Sequence, residues 1–216
     1  MEALKADLKL IKTRMLAGKA GLRWRTCCVQ LADQSMSDSY ITLVPDLMNK
    51  SQSEYLAHRV TDYLKERQII QSFKTDCTFG ETGFAPGKYY QSVLIGKHHD
   101  IQSLSVNGLE VITLRSVFHN GGGGLDSISC PVCGLNVIDT RWSEAIVEWF
   151  NDTGKEELEC IHCKSIKLIT NYIFTPTWGF GVLGFKFWNW PQLNMAFLNS
   201  IEQLTGSQIK IIHGRI

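Results

Sequence analysis

Apolar positions recur along this chain with two alternating periods. Tyr40, Ile41, Thr42, Leu43 and Val44 form a β-branched and aromatic run that predicts a strand, ended by Pro45 and Asp46. The period then lengthens. Leu56, Val60, Tyr63 and Leu64 lie at i, i+4, i+7 and i+8, one face of a helix that reaches to about Gln68. Ser51-Gln52-Ser53-Glu54 ahead of it has the form of a capping box, in which the Ser and Glu side chains satisfy free amides reciprocally. His58 and Arg59 fall off the stripe and are expected in solvent.

Thr78 to Lys88, with Gly80, Gly83, Pro86 and Gly87, reads as a loop, and Gln91 to Ile95 as a short strand. Asn107-Gly108 is a hairpin signal, since both residues tolerate the positive φ of a type I′ turn; it predicts pairing of residues 101–106 with 109–118. Gly121 to Gly124 reads as a flexible link. Trp142, Ile146, Trp149 and Phe150 repeat the helical spacing, and Asn151-Asp152-Thr153-Gly154 ends that helix. Ile166 to Phe174 predicts a strand. Phe185 and Phe187 alternate with Lys186 as in a half-buried strand. Asn194 caps a last helix with its stripe on Phe197, Leu198, Ile201 and Leu204; Gly206 stops it, and residues 209–213 close the chain as a strand.

Between the first strand and the last lies the chain's most specific motif. Cys130-Pro131-Val132-Cys133-Gly134 is followed, after a spacer, by Cys160-Ile161-His162-Cys163. Two C-x-x-C turns offer four thiolates, the ligand set of a closed tetrahedral zinc site at about 2.3 Å per bond. Gly134 suits the tight turn because it adopts positive φ without steric cost. The segment resembles a zinc ribbon. The 26 residues from Gly134 to Glu159 exceed the roughly 15–20 usual between such pairs. The helix at 142–150 accounts for the excess. Four protein ligands leave no vacancy, so the expected zinc is structural rather than catalytic. His162 is not needed as a ligand.

The elements outside this segment run strand, helix, strands, strand, helix, strand. That implies an α+β fold of ferredoxin-like type (βαββαβ) with a hairpin and the helix-bearing zinc ribbon inserted midway. The expected divisions are a basic N-terminal extension at 1–35, the first part of the α+β domain at 36–129, the ribbon at 130–163 and the second part at 164–216. The extension carries Lys5, Lys9, Lys12, Arg14, Lys19, Arg23 and Arg25 against Glu2, Asp7 and Asp33, and Met36 is an alternative start. The whole chain also resembles small bacterial proteins that combine a strand–helix start, a CPxCG…CxxC module and an Asn-Trp-Pro turn, here Asn189-Trp190-Pro191, before a last helix. That resemblance implies a fold and no particular activity.

Composition narrows the function classes. The chain has 216 residues, 44% hydrophobic and 20% charged, enough for a sizeable core. A net charge of +1 gives no electrostatic case for nucleic acid or an anionic membrane. Seven Cys, with Cys27 and Cys28 adjacent, do not form a disulfide framework and point to the reducing cytoplasm. Gly179-Phe180-Gly181-Val182-Leu183-Gly184 matches G-x-G-x-x-G, but aromatic strand-like residues follow where a dinucleotide site needs a helix. Gly83 to Tyr89 falls one residue short of a phosphate loop, and no His is followed two residues later by the Glu of a zinc deaminase.

Three functions are weighed. The first is a non-enzymatic protein that binds another protein, with zinc only structural. Trp178, Trp188 and Trp190 flank glycines and a proline, and at least one of them is expected to be partly exposed as a binding surface. The second is an enzyme with a loop-built site around His98, His99, His119 and Cys77. The third is nucleic-acid binding through the ribbon. Glu144, Glu148, Asp152, Glu156, Glu157 and Glu159 there outnumber Arg141, Lys155 and Lys164, the reverse of what phosphate contact wants.

Overall fold

The computed structural model describes residues 38–47, 49–79, 82–96 and 100–216. The basic extension at 1–35, the alternative start at Met36, and His98 and His99 lie outside the described residues. The fold is α+β: among the described residues, three helices accompany a six-stranded antiparallel sheet and three two-stranded ones. The strands are β1 (Ser39–Pro45), β2 (Ile70–Thr75), β3 (Gly83–Pro86), β4 (Leu109–Ile112), β5 (Ser116–Phe118), β6 (Ser127–Ser129), β7 (Glu157–Glu159), β8 (Ile166–Leu168), β9 (Ile173–Thr175), β10 (Gly179–Gly181), β11 (Gly184–Trp188) and β12 (Ile209–Arg215). The helices are α1 (Lys50–Glu66), α2 (Trp142–Phe150) and α3 (Met195–Thr205).

The large sheet runs β12-β1-β11-β4-β3-β2, with six strands where the βαββαβ order has four. Its alternation sorts the side chains. Ile41, Leu43, Phe185, Phe187 and Leu109 join α1 and α3 in the main core, with Leu56, Val60 and Leu64 from α1 and Phe197, Leu198 and Ile201 from α3. Each such aliphatic or aromatic side chain contributes about 1.5–3 kcal/mol on burial. The residues between them, Thr42, Val44, Lys186 and Ile112, face the other side. There Val44 and Ile212 meet Phe118 of β5 in a smaller cluster.

Both long helices are capped by asparagine. Asn49 accepts the amide of Ser51 at 3.0 Å, so the helix begins before the expected capping box, and Ser51 lies inside its first turn. Asn194 accepts the amide of Phe197 at 2.9 Å, and Gly206 stops α3 in the left-handed conformation at φ 70°.

Several expectations fail where tertiary contacts override local signals. The supposed loop at 78–88 contains β3. Residues 90–93 form a turn of 3-10 helix, not a strand, and leave only Leu94 to bridge Leu193. Asn107-Gly108 makes no hairpin. Both amides donate to the carbonyl of Cys77, at 3.0 and 2.8 Å, and the Asn107 side chain is buried and donates to Ile101. Residues 101–103 are a 3-10 turn, and β4 pairs instead with β11 and β3. The Ile166–Phe174 stretch is broken by a 3-10 turn at 169–171 into β8 and β9, because β8 returns to β7 and β9 crosses to β6. The glycine run is pinned at its start, where Gly121 bridges Arg215.

Residues 113–183 leave the sheet from β4 and return to it at β11, and Ile112 and Gly184 at the two ends are cross-strand partners. This stretch has its own core. Val117, Ile128, Val137, Trp142, Ile146, Trp149, Phe174, Trp178 and Phe180 pack there with two of the motif cysteines. The cluster therefore extends beyond 130–163 on both sides, since β6–β9 and β5–β10 close around α2. Gly179 to Gly184 is a strand, a corner and a strand. A Cβ at Gly184 would meet the ring of Phe118, which accounts for that glycine by packing.

Candidate metal centre

Each cysteine pair follows a three-residue strand, β6 before Cys130 and β7 before Cys160. The two turns repeat one another. The Gly134 amide donates to the Cys130 carbonyl and the Lys164 amide to that of Cys160, both at 2.9 Å. The Cys130 amide in turn donates to Leu135 at 3.0 Å and the Cys160 amide to Ser165 at 2.9 Å. Gly134 and Lys164 both take positive φ, 73° and 61°. The glycine of the first turn was legible in the sequence; the lysine doing the same in the second was not.

The folded turns bring all four sulfurs within 4.8 Å of one another. Cys130 Sγ lies 3.8 Å from Cys163 Sγ, and Cys133 Sγ 3.7 Å from Cys160 Sγ. Four sulfurs at 2.3 Å around a tetrahedral ion stand about 3.8 Å apart, the separation that these two pairs show. The first cysteine of each pair is buried, while Cys133 is half-buried and Cys163 exposed. Without a cation the thiols cannot all ionise at such separations. Cys130, although burial opposes it, is held down at about 6 by hydrogen bonds from the Cys133 and Val132 amides and from Ser165. Cys133 is pushed up to about 12, because burial and its hydrogen bonds with the other three thiols outweigh the Leu135 amide.

Neighbouring groups fix the turns. Ser165 Oγ lies 3.1 Å from Cys163 Sγ and 3.6 Å from Cys130 Sγ. Asn136 Oδ1 accepts the amides of Ile128 and Ile138, at 3.0 and 3.1 Å, and so ties β6 to the chain leaving the first turn. His162 is not among the clustered ligand atoms. Its Nε2 donates to the Asn136 carbonyl at 3.0 Å and links the second turn to the first. Trp142, Ile146 and Trp149 of α2 pack beneath the site.

The other candidate residues disperse. Trp178, Trp188 and Trp190 are 6%, 4% and 3% exposed, so the expected tryptophan surface does not exist. Each indole is hidden without losing a hydrogen bond. Trp178 donates to Asn120 Oδ1 at 3.2 Å, Trp188 to Glu110 Oε2 at 2.9 Å and Trp190 to the Asn107 carbonyl at 2.6 Å. They also belong to separate regions. Trp178 stacks on Phe174 in the insert, Trp190 packs on Phe187 in the main core, and Trp188 meets Tyr40 on the opposite sheet face. Cys77 is buried beside Gly108, where a Cβ would strike its sulfur. His119 packs against Trp178, and its carbonyl accepts the hydroxyl of Tyr40 at 2.8 Å.

These features define an α+β protein in which four cysteines, placed to bind a metal ion, lie in a segment inserted between two neighbouring strands. No protein-family model, curated protein or solved structure matches the chain. No described helix is long and apolar enough to cross a membrane.

Proposed function

We propose that the protein acts by binding another protein, and that Zn2+ held by Cys130, Cys133, Cys160 and Cys163 maintains the binding face. Four thiolates in a tetrahedron favour zinc over oxygen-seeking cations. With no ligand position left open, the ion is structural. Reduced thiols suit the cytoplasm as the place of action.

One observation carries the binding reading. On the β7–β8 hairpin, Glu157 faces Leu168 and Glu159 faces Ile166, and all four side chains are exposed, while Leu158 between them is buried in the module core. Ile166 is 56% and Leu168 42% exposed. Val132, Leu135 and Ile161, on or beside the cysteine turns, are exposed as well. On this face the two carboxylates of β7 lie beside the two aliphatic side chains of β8, which complements a segment that presents basic and apolar side chains together. It repels nucleic-acid phosphate.

The test is calorimetric titration of the metal-loaded full chain with an alternating lysine–leucine peptide and with duplex DNA. Peptide binding that is lost in Ile166→Glu/Leu168→Glu, with the melting temperature unchanged, supports the reading. Tight, steeply salt-dependent DNA binding with no peptide binding would replace it with the nucleic-acid reading.

A further inference from the structure

The sheet face turned away from α1 and α3 is polar at its centre. Thr42 of β1, Lys186 of β11 and Glu110 of β4 stand side by side in direct register. Over this row the insert leaves a cleft of about 240 Å3. Thr42 and Lys186 of the row line it, together with the apolar side chains of Ile112, Leu114, Val117 and Phe150. Among the described residues no carboxylate lines it, whereas Lys186 and Arg115 do.

One polar group there lacks any partner within the protein, and a second is only partly engaged. Thr42 is 1% exposed, and its hydroxyl has no hydrogen-bond partner. Buried hydroxyls are nearly always paired, so one left over beside a cleft calls for a partner from outside. Lys186 Nζ lies 3.4 Å from Glu110 Oε2 and 5.2 Å from the ring centres of Tyr40 and Trp188. An ammonium has three donors, and this one retains capacity for a further acceptor. The charge balance limits what that acceptor belongs to. Glu110 already answers part of the Lys186 charge, and Asp152, 3.2 Å from Arg115, answers part of the other. The two cations are thus formally balanced by two carboxylates, so the cleft offers hydrogen-bond donors without excess positive charge, and each further negative charge on a ligand is increasingly opposed. The volume equals that of about eight waters, but part of its lining is apolar, which suits a small molecule with a hydrocarbon part.

We propose that this cleft binds a small organic monocarboxylate, its acid group held by Lys186 Nζ and the Thr42 hydroxyl and its apolar body resting on Ile112, Leu114 and Phe150. This assignment does not depend on the protein-binding reading of the metal module.

The experiment titrates the metal-loaded full chain with butyrate and benzoate, with butanol, butylamine and inorganic phosphate as counter-probes, read by ligand-observed NMR and calorimetry. Saturable binding of the carboxylates is expected, at least about tenfold tighter than butanol, as an unmatched charge-assisted hydrogen bond requires. Lys186→Met should remove it. Thr42→Val should weaken it without lowering the melting temperature, because the hydroxyl has no partner to lose. Leu114→Trp, at a side chain 63% exposed, should block the cleft and leave the fold intact. Absence of saturable carboxylate binding, phosphate or butanol binding as tightly as butyrate, or carboxylate binding unchanged in both Thr42→Val and Leu114→Trp each overturn the proposal.

Discussion

Gly134 and Lys164 occupy the same place in the two cysteine turns: each is the fourth residue after the first cysteine, each takes positive φ, and each donates its amide to that cysteine's carbonyl at 2.9 Å. One is the residue type the geometry favours and the other is not. Substitutions at the two positions should therefore act in opposite directions. No atom lies within 4 Å of a Cβ built at Gly134, so Gly134→Ala meets only the backbone cost of about 1–2 kcal/mol. Lys164→Gly removes that cost but adds about 0.5–1 kcal/mol of chain entropy, for a small net gain. Chemical denaturation of the metal-loaded protein distinguishes the signs.

Metal removal should be selective. Elemental analysis should find about one zinc per chain, and Cys130→Ser or Cys163→Ser should lose it. Zinc at such sites contributes about 10–16 kcal/mol to folding of the module that holds it. Chelation should raise amide exchange across β6 to β9 and α2, while β1, β11 and β12, whose core lies on the helix side, stay protected. A fully folded, metal-free protein at neutral pH would count against the site.

The three buried tryptophans should behave as core. Trp178→Ala and Trp190→Ala should each cost about 3–5 kcal/mol, read as a fall in the denaturation midpoint. Trp178→Phe keeps much of the stacking on Phe174 and gives up the hydrogen bond to Asn120, so its cost should be about 1 kcal/mol.

Alkaline stability should depend on Tyr40. Burial, and after it the charge of Glu110, pushes its hydroxyl from 10.0 up to about 12. The folded state keeps the proton that the unfolded chain has released. The stability from this group is therefore complete below pH 10 and declines as pH rises from 10 through 12. Denaturation midpoints should fall over that window, and Tyr40→Phe should flatten the fall at the expense of the bond to the His119 carbonyl.

Gly184→Ala tests the corner. Its new methyl meets the Phe118 ring, which is 4% exposed and has little room to move. A loss of about 1–3 kcal/mol is expected, as for other overpacked cores.

What the sequence disclosed was local chemistry. Asn194, Gly206 and the stripes of all three helices act within a few residues of themselves, and so do Cys130-Pro131-Val132-Cys133 and its counterpart; each is found where the pattern puts it. What it hid was pairing over long separations. Gly108 reads as a turn residue because nothing nearby in sequence shows Cys77, whose carbonyl accepts its amide. Trp178 is expected at the surface from the glycine beside it, because Asn120, the partner that lets its indole be buried, lies 58 positions away. The orphan hydroxyl of Thr42 was likewise invisible, since Thr42 differs in no way from any strand threonine until Lys186 stands opposite it.

The pairing of Ile112 with Gly184 has a consequence for how the chain assembles. β4 and β11 can zip together only after the whole of residues 113–183 has been gathered between them, and the entropy of closing so long a loop must be met before any of the sheet's central hydrogen bonds form. A metal ion that collapses the middle of that loop shortens the effective tether. Metal loading should then accelerate formation of the distant sheet, and a chain refolding with chelator present should do so slowly, with its two central strands searching for each other across an open span.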